Sequence, residues 1–294
     1  MSYTNALLGL FTETSLHAGA GQSVGVIDLP IQREAHNAWP CVFGSAVKGA
    51  IRAKAEADKL EAVDLIFGQA DFKAGEASEF AAALAISDAR LLLLPVRSLT
   101  THFRWVTCPS ALRRWQRDAE RLGLGNRFTF TVPDFNDNDA ALVAADLNGH
   151  LYLEEYRLTV EKHDFDLVLT ALAQMMPDEL KEAVKNQFTL VSDDTFQHLA
   201  KHATPVTAHV RLDDKKTVEK GALWYEETLP PESLLYVALN AGNSRKKDTT
   251  LNSDTIIKRL REQLFSAHPY LQIGGNETVG MGWCRVSFLD TLGG

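Results

Sequence analysis

Asp28 is the residue of this sequence best placed to do chemistry. It is the lone acid of VIDLP. Before it runs a loop carrying Gly19, Gly21 and Gly25; beyond it a short stretch carries Lys48 and Arg52. Glycine frees backbone amides for close approach, and a helix start favours anions. Together these groups make a cradle for a polyanion, with one carboxylate able to act on it. A second glycine-rich stretch, IGGNETVGMGW from Ile273 to Trp283, lies near the other end. Termini of compact domains tend to lie close together, so the two loops are expected to meet.

Each candidate has a plainer reading. An aspartate before Pro30 also suits a turn acid that caps backbone amides. An isolated aspartate, with a reference pKa of about 3.9, is a poor base at neutral pH. The chemistry favoured for Asp28 is therefore placing a divalent cation or its bound water beside a phosphate. Lys48 and Arg52, four apart, share a helix face, either simply solvated or gripping phosphates with Gly44 and Ser45 at the helix start. GSAVKG is not a P-loop, because Lys48 precedes the second glycine and no Ser or Thr follows. Gly274, Gly275, Gly280 and Gly282 form a tight turn, an RNA-facing backbone, or both. His17 on its own reads first as a satisfied structural histidine. Trp224 and Tyr225 suit a core, while Glu226 and Glu227 beside them are candidates to face the site.

Several elements must position these groups. Tyr3 to Thr14 predicts a central strand. Ser45, as N-cap, opens a helix through Ala57. Ala81 to Leu94 predicts a strand ended by Pro95. Ser110 to Leu122 predicts an amphipathic helix with Ser110 as cap and Gly123 as stop. Pro133 to Ala140 reads as a turn-rich linker and Leu151 to Val160 as a strand; Leu167 to Met176 and Asp178 to Asn186 read as helical. Thr207 to Leu212 and Thr217 to Glu227 flank a polar tip with Lys215 and Lys216, which predicts a protruding hairpin. A helix over Asp254 to His268 turns Ile256, Ile257, Leu260 and Leu264 inward, and Trp283 to Leu289 is the last strand. This mixture without a strict βαβα rhythm favours an α+β fold.

Bulk composition narrows the function. The chain has 294 residues, no run long enough to span a bilayer, and Glu13 instead of a basic leader near its start. Cys41, Cys108 and Cys284 lack ligand spacing, which predicts reduced thiols, a cytoplasmic location and no structural zinc. A net charge of −8 counts against nucleic acid, yet the bases cluster. Arg97, Arg104, Arg113, Arg114, Arg117, Arg121 and Arg127 form one tract, and Arg245, Lys246, Lys247, Lys258, Arg259 and Arg261 another. Two such tracts predict a polyanion groove.

The motifs LHAGAGQSVGVIDLPIQRE, FGSAVKGAIR, SDARLLLLPVRS with WVTCP, LYLEEY, TVEKGALWYEETLPPE and LQIGGNETVGMGW occur in this order along most of the chain. In them the sequence resembles the backbone subunits of type III-B CRISPR effector complexes, within the RAMP superfamily. The resemblance implies a ferredoxin-like, RNA-recognition-type palm with helical insertions and a protruding thumb hairpin. It implies one domain over 1–294, with the palm drawn from 1–96, 221–239 and 270–294. The insertions fall at about 97–150, 187–220 (the thumb) and 240–255. Members stack head to tail on guide RNA with companion subunits and cut paired target RNA at regular intervals, using a divalent metal, magnesium or manganese. The essential acid of the family falls on Asp28, also as metal ligand, and the family histidine on His17. Guide-RNA contacts fall on Arg33, Gly44, Ser45, Lys48, Arg52, Gly274, Gly275 and Gly280. A non-catalytic RNA-binding backbone and a stand-alone guide-processing ribonuclease remain the competing readings.

Overall fold

The computed structural model describes residues 3–69, 80–147, 149–247 and 249–292. The chain begins with β1 (Thr4–Thr12), β2 (Cys41–Val42), α1 (Gly44–Ala57) and α2 (Val63–Phe67). It continues through β3 (Leu84–Ile86), β4 (Ala89–Ser98), β5 (His102–Thr107) and α3 (Pro109–Arg121). The middle holds β6 (Ala140–Val143), β7 (His150–Leu153), β8 (Tyr156–Lys162), α4 (Asp166–Leu172), α5 (Lys181–Gln187), β9 (Phe188–Leu190) and α6 (Asp193–His202). Last come β10 (Val206–Leu212), β11 (Val218–Glu227), β12 (Leu234–Ala241), α7 (Ser253–Arg259), β13 (Tyr270–Gln272) and β14 (Trp283–Asp290).

The fold is α+β. One long sheet runs β13-β14-β1-β12-β4 and continues β5-β9-β6-β8-β7. The ladders β14–β1, β1–β12 and β12–β4 are antiparallel. β1 alternates poorly in hydrophobicity because both its faces are covered. Ala6, Leu8 and Leu10 join a core under α1 and α7, while Leu7 and Phe11 join a second core with α3 and α4. Ile256, Ile257, Leu260 and Leu264 are all buried, as their spacing predicts, with a π-helical turn over Leu260–Phe265 extending α7.

The middle of the chain corrects the expectation of helical insertions. β7 returns to β4 through Ser98 and Leu153, so β4-β5-β9-β6-β8-β7 closes into a six-stranded barrel-like sheet. Its strands β6, β7 and β9 have only three or four residues, too few to show a period-2 pattern. Buried Arg104 and Thr189, hydrogen-bonded to each other, break the apolar signal further. Leu151 to Val160 is two strands, β7 and β8, turning at Glu154, whose φ is 47°. Pro95 does not end its strand. The β12 ladder stops at Leu93 and β7 joins β4 only at Ser98, so at Pro95 the strand pairs with β5 alone and the missing N–H interrupts no second ladder.

The predicted hairpin is present as a separate two-stranded sheet, β10 with β11. One of its faces aligns Val206, Val210, Leu212, Val218, Leu223 and Tyr225, each between 43% and 55% exposed. No helix of the described residues is long and apolar enough to cross a membrane.

Candidate nucleic-acid interface and active site

β11 is the element that gathers the site. Its last residues bind the N-terminal loop on one side and the C-terminal glycine loop on the other. Asp28 Oδ2 accepts the Tyr225 amide at 2.7 Å. Leu29 N–H donates to the Tyr225 carbonyl at 3.0 Å, and Glu227 N–H donates to the Leu29 carbonyl at 3.0 Å. The segment bearing Asp28 is thus a short parallel addition to β11. Asp28 is half-buried, and its Oδ1 has no protein donor among the described residues.

His17 is buried and its Nδ1 lies 2.7 Å from the Glu227 carbonyl oxygen. A carbonyl only accepts, so Nδ1 carries the hydrogen and a neutral ring has its lone pair on Nε2. Nε2 faces Gly19, where an added Cβ would come within 2.9 Å of it. Tyr225 and Glu227 are two residues apart on one strand, so the backbone anchors of Asp28 and His17 lie about 7 Å apart.

Glu226 and Glu227 supply the clamp. Both are buried, at 4% and 2% exposure. Glu227 Oε1 accepts from Arg33 Nη2 at 2.5 Å and from Thr204 Oγ1 at 2.6 Å, and Oε2 accepts the Ile31 amide at 3.1 Å. Glu226 Oε1 accepts from Asn276 Nδ2 and lies 3.6 Å from His17 Nδ1. One acid therefore ties down the loop that carries Asp28; its neighbour ties down the loop of Gly274 to Gly282. Successive residues of a strand point to opposite faces, which lets adjacent glutamates serve two loops.

The two glycine-rich loops meet. Gly275 N–H donates to the His17 carbonyl and Gly282 N–H to the Ser15 carbonyl, each at 2.9 Å. A Cβ on Gly274, at φ +86°, would sit 2.3 Å from the His17 oxygen, and one on Gly282 2.0 Å from the Ile273 oxygen. Gly274 is needed for packing against the other loop, and Gly282 for closure of its own. Gly280, at φ +83° with open space around it, lies on the exposed rim.

The remaining candidates separate into held and free groups. Arg33 sits inside: Nη1 donates to the carbonyls of Ala38 and Ala200, and Nη2 to Thr204 and Glu227. Helix α1 starts two residues earlier than an N-cap at Ser45 implies. Its N-cap is Phe43, Ser45 is exposed, and the free Gly44 amide is satisfied by Asp88 Oδ1 at 2.7 Å. Gly44 is also required by packing, since a Cβ would come within 2.8 Å of the Ile86 carbonyl oxygen. Arg52 is occupied by Glu56, Asp64 and the Gly68 carbonyl. Lys48 has no acid partner among the described residues, and burial together with neighbouring Arg52 lowers its pKa. An anion bound there would relieve that strain.

Most of the arginine tract is already committed within the fold. Arg104 is 1% exposed and burial lowers its pKa to about 10; Arg97, Arg113, Arg114 and Arg121 pair with Glu154, Asp134, Glu34 and Asp118. Ser110 is not a cap either; Pro109 is the first residue of α3 and Ser110 bonds to Asp193. All three cysteines are free and buried, and burial with Glu34 and Asp88 nearby pushes Cys41 up to about 12. Among the described residues no group of three or more His, Cys, Asp or Glu side chains is arranged to hold a metal. The lone Asp28 oxygen fits only a cation completed by substrate phosphate and water, the arrangement usual for magnesium.

A family model described as the RAMP superfamily matches residues 10–285, and the chain belongs to that superfamily. A curated relative from Pyrococcus furiosus, "CRISPR system Cmr endoribonuclease Cmr4", is 36% identical over 97% of this chain and 95% of that protein. "CRISPR system CMR subunit Cmr4" from Saccharolobus solfataricus is 26% identical, covering 94% of each. The crystal structure of oligomeric Cmr4 from Pyrococcus furiosus superposes with a TM-score of 0.75 at 30% identity, over 99% of both chains.

Proposed function

We propose that this chain is the RNA-binding backbone subunit of a type III-B CRISPR ribonucleoprotein and cuts target RNA paired to the guide. The observation that carries this is the convergence of Asp28, His17 and the C-terminal glycine loop on β11, within a chain 36% identical to a Cmr endoribonuclease over 97% of its length. The order β14-β1-β12-β4, all antiparallel, with α1 and α7 joining the cores beneath it, supports reading that half as a ferredoxin-like palm. The hairpin β10–β11 is then the thumb. Its exposed apolar face suits a wedge or a neighbour contact, and head-to-tail stacking of copies with companion subunits along the guide gives regularly spaced cuts.

The reaction is attack by the ribose 2′-oxygen on the adjacent phosphorus. The O2′–P bond forms and the P–O5′ bond breaks, leaving a cyclic phosphate and a 5′-hydroxyl. His17, fixed through Nδ1, presents Nε2 to take the 2′ proton, and the leaving oxygen takes a proton from solvent. Asp28 Oδ1 would hold magnesium or manganese together with the phosphate, and a bound cation would supply charge stabilisation there. Lys48 and the exposed backbone of the glycine loops grip the guide. Alignment supplies much of the rate, because the 2′-oxygen of an A-form strand is not in line with the leaving oxygen.

End-group mapping of reconstituted complexes tests this reading. Fragments should carry 5′-hydroxyls and cyclic phosphates, and a single 2′-deoxy substitution should silence its own cut. Fragments with 5′-phosphates, or cutting that ignores the deoxy substitution, contradict it. A structural role alone is favoured by one observation, that Asp28 already caps the Tyr225 amide. Replacement of Asp28 by Asn separates the two roles.

A further inference from the structure

The end of α6 carries two histidines that the cutting reaction does not use. His198 and His202 are four residues apart and so share one helix face. Their rings lie 4.5 Å apart between centroids, with planes at 42°. Glu155, in the turn between β7 and β8, places Oε1 3.2 Å from His198 Nε2. We infer that His198 and His202 chelate a transition-metal cation, copper(II) or nickel(II), with Glu155 holding the His198 ring in the ligating tautomer.

The tautomer argues first. A carboxylate only accepts, so Nε2 of His198 carries the hydrogen and Nδ1 keeps the lone pair. The Glu155 amide and His198 hold the Glu155 carboxyl below the usual range, which keeps it an acceptor. Carboxylate, then histidine, then metal is the usual order of such sites. Tyr156 packs edge-on against the His198 ring, 5.3 Å between centroids, and steadies it. Burial, with His198 and Lys201 nearby, lowers the pKa of His202, so its ring also offers a lone pair at pH 7.

Geometry selects the ion. A metal at about 2.0–2.1 Å from an imidazole nitrogen lies roughly 3.2 Å from the ring centre. Two rings 4.5 Å apart that face one such ion meet it at roughly 90°. That is the angle between neighbouring ligands of a tetragonal ion, whereas zinc favours a tetrahedral one. Magnesium takes oxygen ligands and is excluded, so the site differs in chemistry from one at Asp28. Among the described residues no third His, Cys, Asp or Glu side chain completes the set, and water takes the remaining positions. Lys201 and Arg33 also act on His202, and their charge holds the affinity below that of a closed structural site. The ion would clip the helix end at which the Ala200 carbonyl anchors Arg33 and from which the chain leads into β10.

The test uses the full chain, with nickel(II) titrated calorimetrically and copper(II) read by electron spin-echo modulation. One nickel(II) should bind per chain, and one equivalent of copper(II) should report two imidazoles in the unmodified protein. His198→Ala and His202→Ala should each weaken nickel(II) binding at least about tenfold. Neither side chain is buried, and alanine suits a helix, so both variants keep the fold. Glu155→Gln should weaken binding about tenfold. His36→Ala, at a histidine whose side chain is 77% exposed on another loop, should leave it unchanged, as should millimolar magnesium. Failure to bind nickel(II), equal binding by His198→Ala or His202→Ala, or a copper(II) signal from one imidazole overturns the inference. So does affinity unchanged in Glu155→Gln, loss of binding in His36→Ala, or displacement by magnesium.

Discussion

Two charged regions of this molecule look alike in sequence and behave oppositely. Glu226 and Glu227 are adjacent acids on β11, each buried and each committed to a different loop. The arginine tract from Arg97 to Arg127 holds more charge, yet five of its seven members are committed, Arg104 inside the barrel and Arg97, Arg113, Arg114 and Arg121 to acids. Charge density along a chain therefore says little about where a polyanion lies. What matters is whether a charge already has a partner, and on that measure Lys48 counts for as much as Arg117 or Arg127, the members of the tract left without an acid among the described residues.

The largest effect expected from this contrast is at the clamp. Arg33→Met leaves Glu227 buried without its cation, which should cost about 3–5 kcal/mol. Arg97→Ala removes a pair whose arginine side chain is 86% exposed and should cost at most about 1 kcal/mol. Denaturant melts of the two variants give the comparison, and equal losses would break it. Next comes Gly274→Ala, where a positive φ and the His17 carbonyl together oppose a side chain. A loss of about 1–3 kcal/mol is expected, against a gain of up to about 1 kcal/mol for Gly49→Ala in the interior of α1, where a Cβ would meet nothing and alanine is the better helix former.

Smaller still is the difference between the two α1 bases. Lys48→Ala should lower the slope of log affinity against log salt for guide RNA by about 1. Arg52→Ala should change that slope less, its guanidinium being taken up by Glu56 and Asp64. Matching slopes would mean Arg52 abandons its partners for phosphate. The smallest effect concerns His202. Its folded pKa lies below 6.5, so the unfolded chain binds the proton more readily and stability falls as pH drops through and below that value. Melts at pH 7.5 and 5.5 should show a slightly larger acid loss in the parent than in His202→Ala.

Much of this was legible in the residues. The hairpin β10–β11 announced itself through two alternating runs around a polar tip, and its bounds hold to within one residue of Val206–Leu212 and Val218–Glu227. The meeting of the glycine loops followed from composition at the two ends. The barrel did not announce itself, because three- and four-residue strands carry no period and its ladders join residues far apart in sequence, such as Trp105 with Phe188. Arg33 was misleading for a physical reason: its partners, Glu227, Thr204 and the Ala200 carbonyl, lie more than 160 residues away. Glu226 and Glu227 stood out as acids beside aromatics, but no local signal tells a clamp from a catalytic pair.

The account turns on the negative charge of Asp28, as distinct from the turn it caps. Asparagine keeps an oxygen for the Tyr225 amide and removes only the charge. Single-turnover cutting of target RNA by complexes carrying Asp28→Asn measures that difference most directly, with guide binding and assembly followed on the same preparations. Assembly unchanged with cutting reduced by at least about a hundredfold is the predicted result. Cutting at the parent rate would contradict the account and leave Asp28 as a turn residue alone.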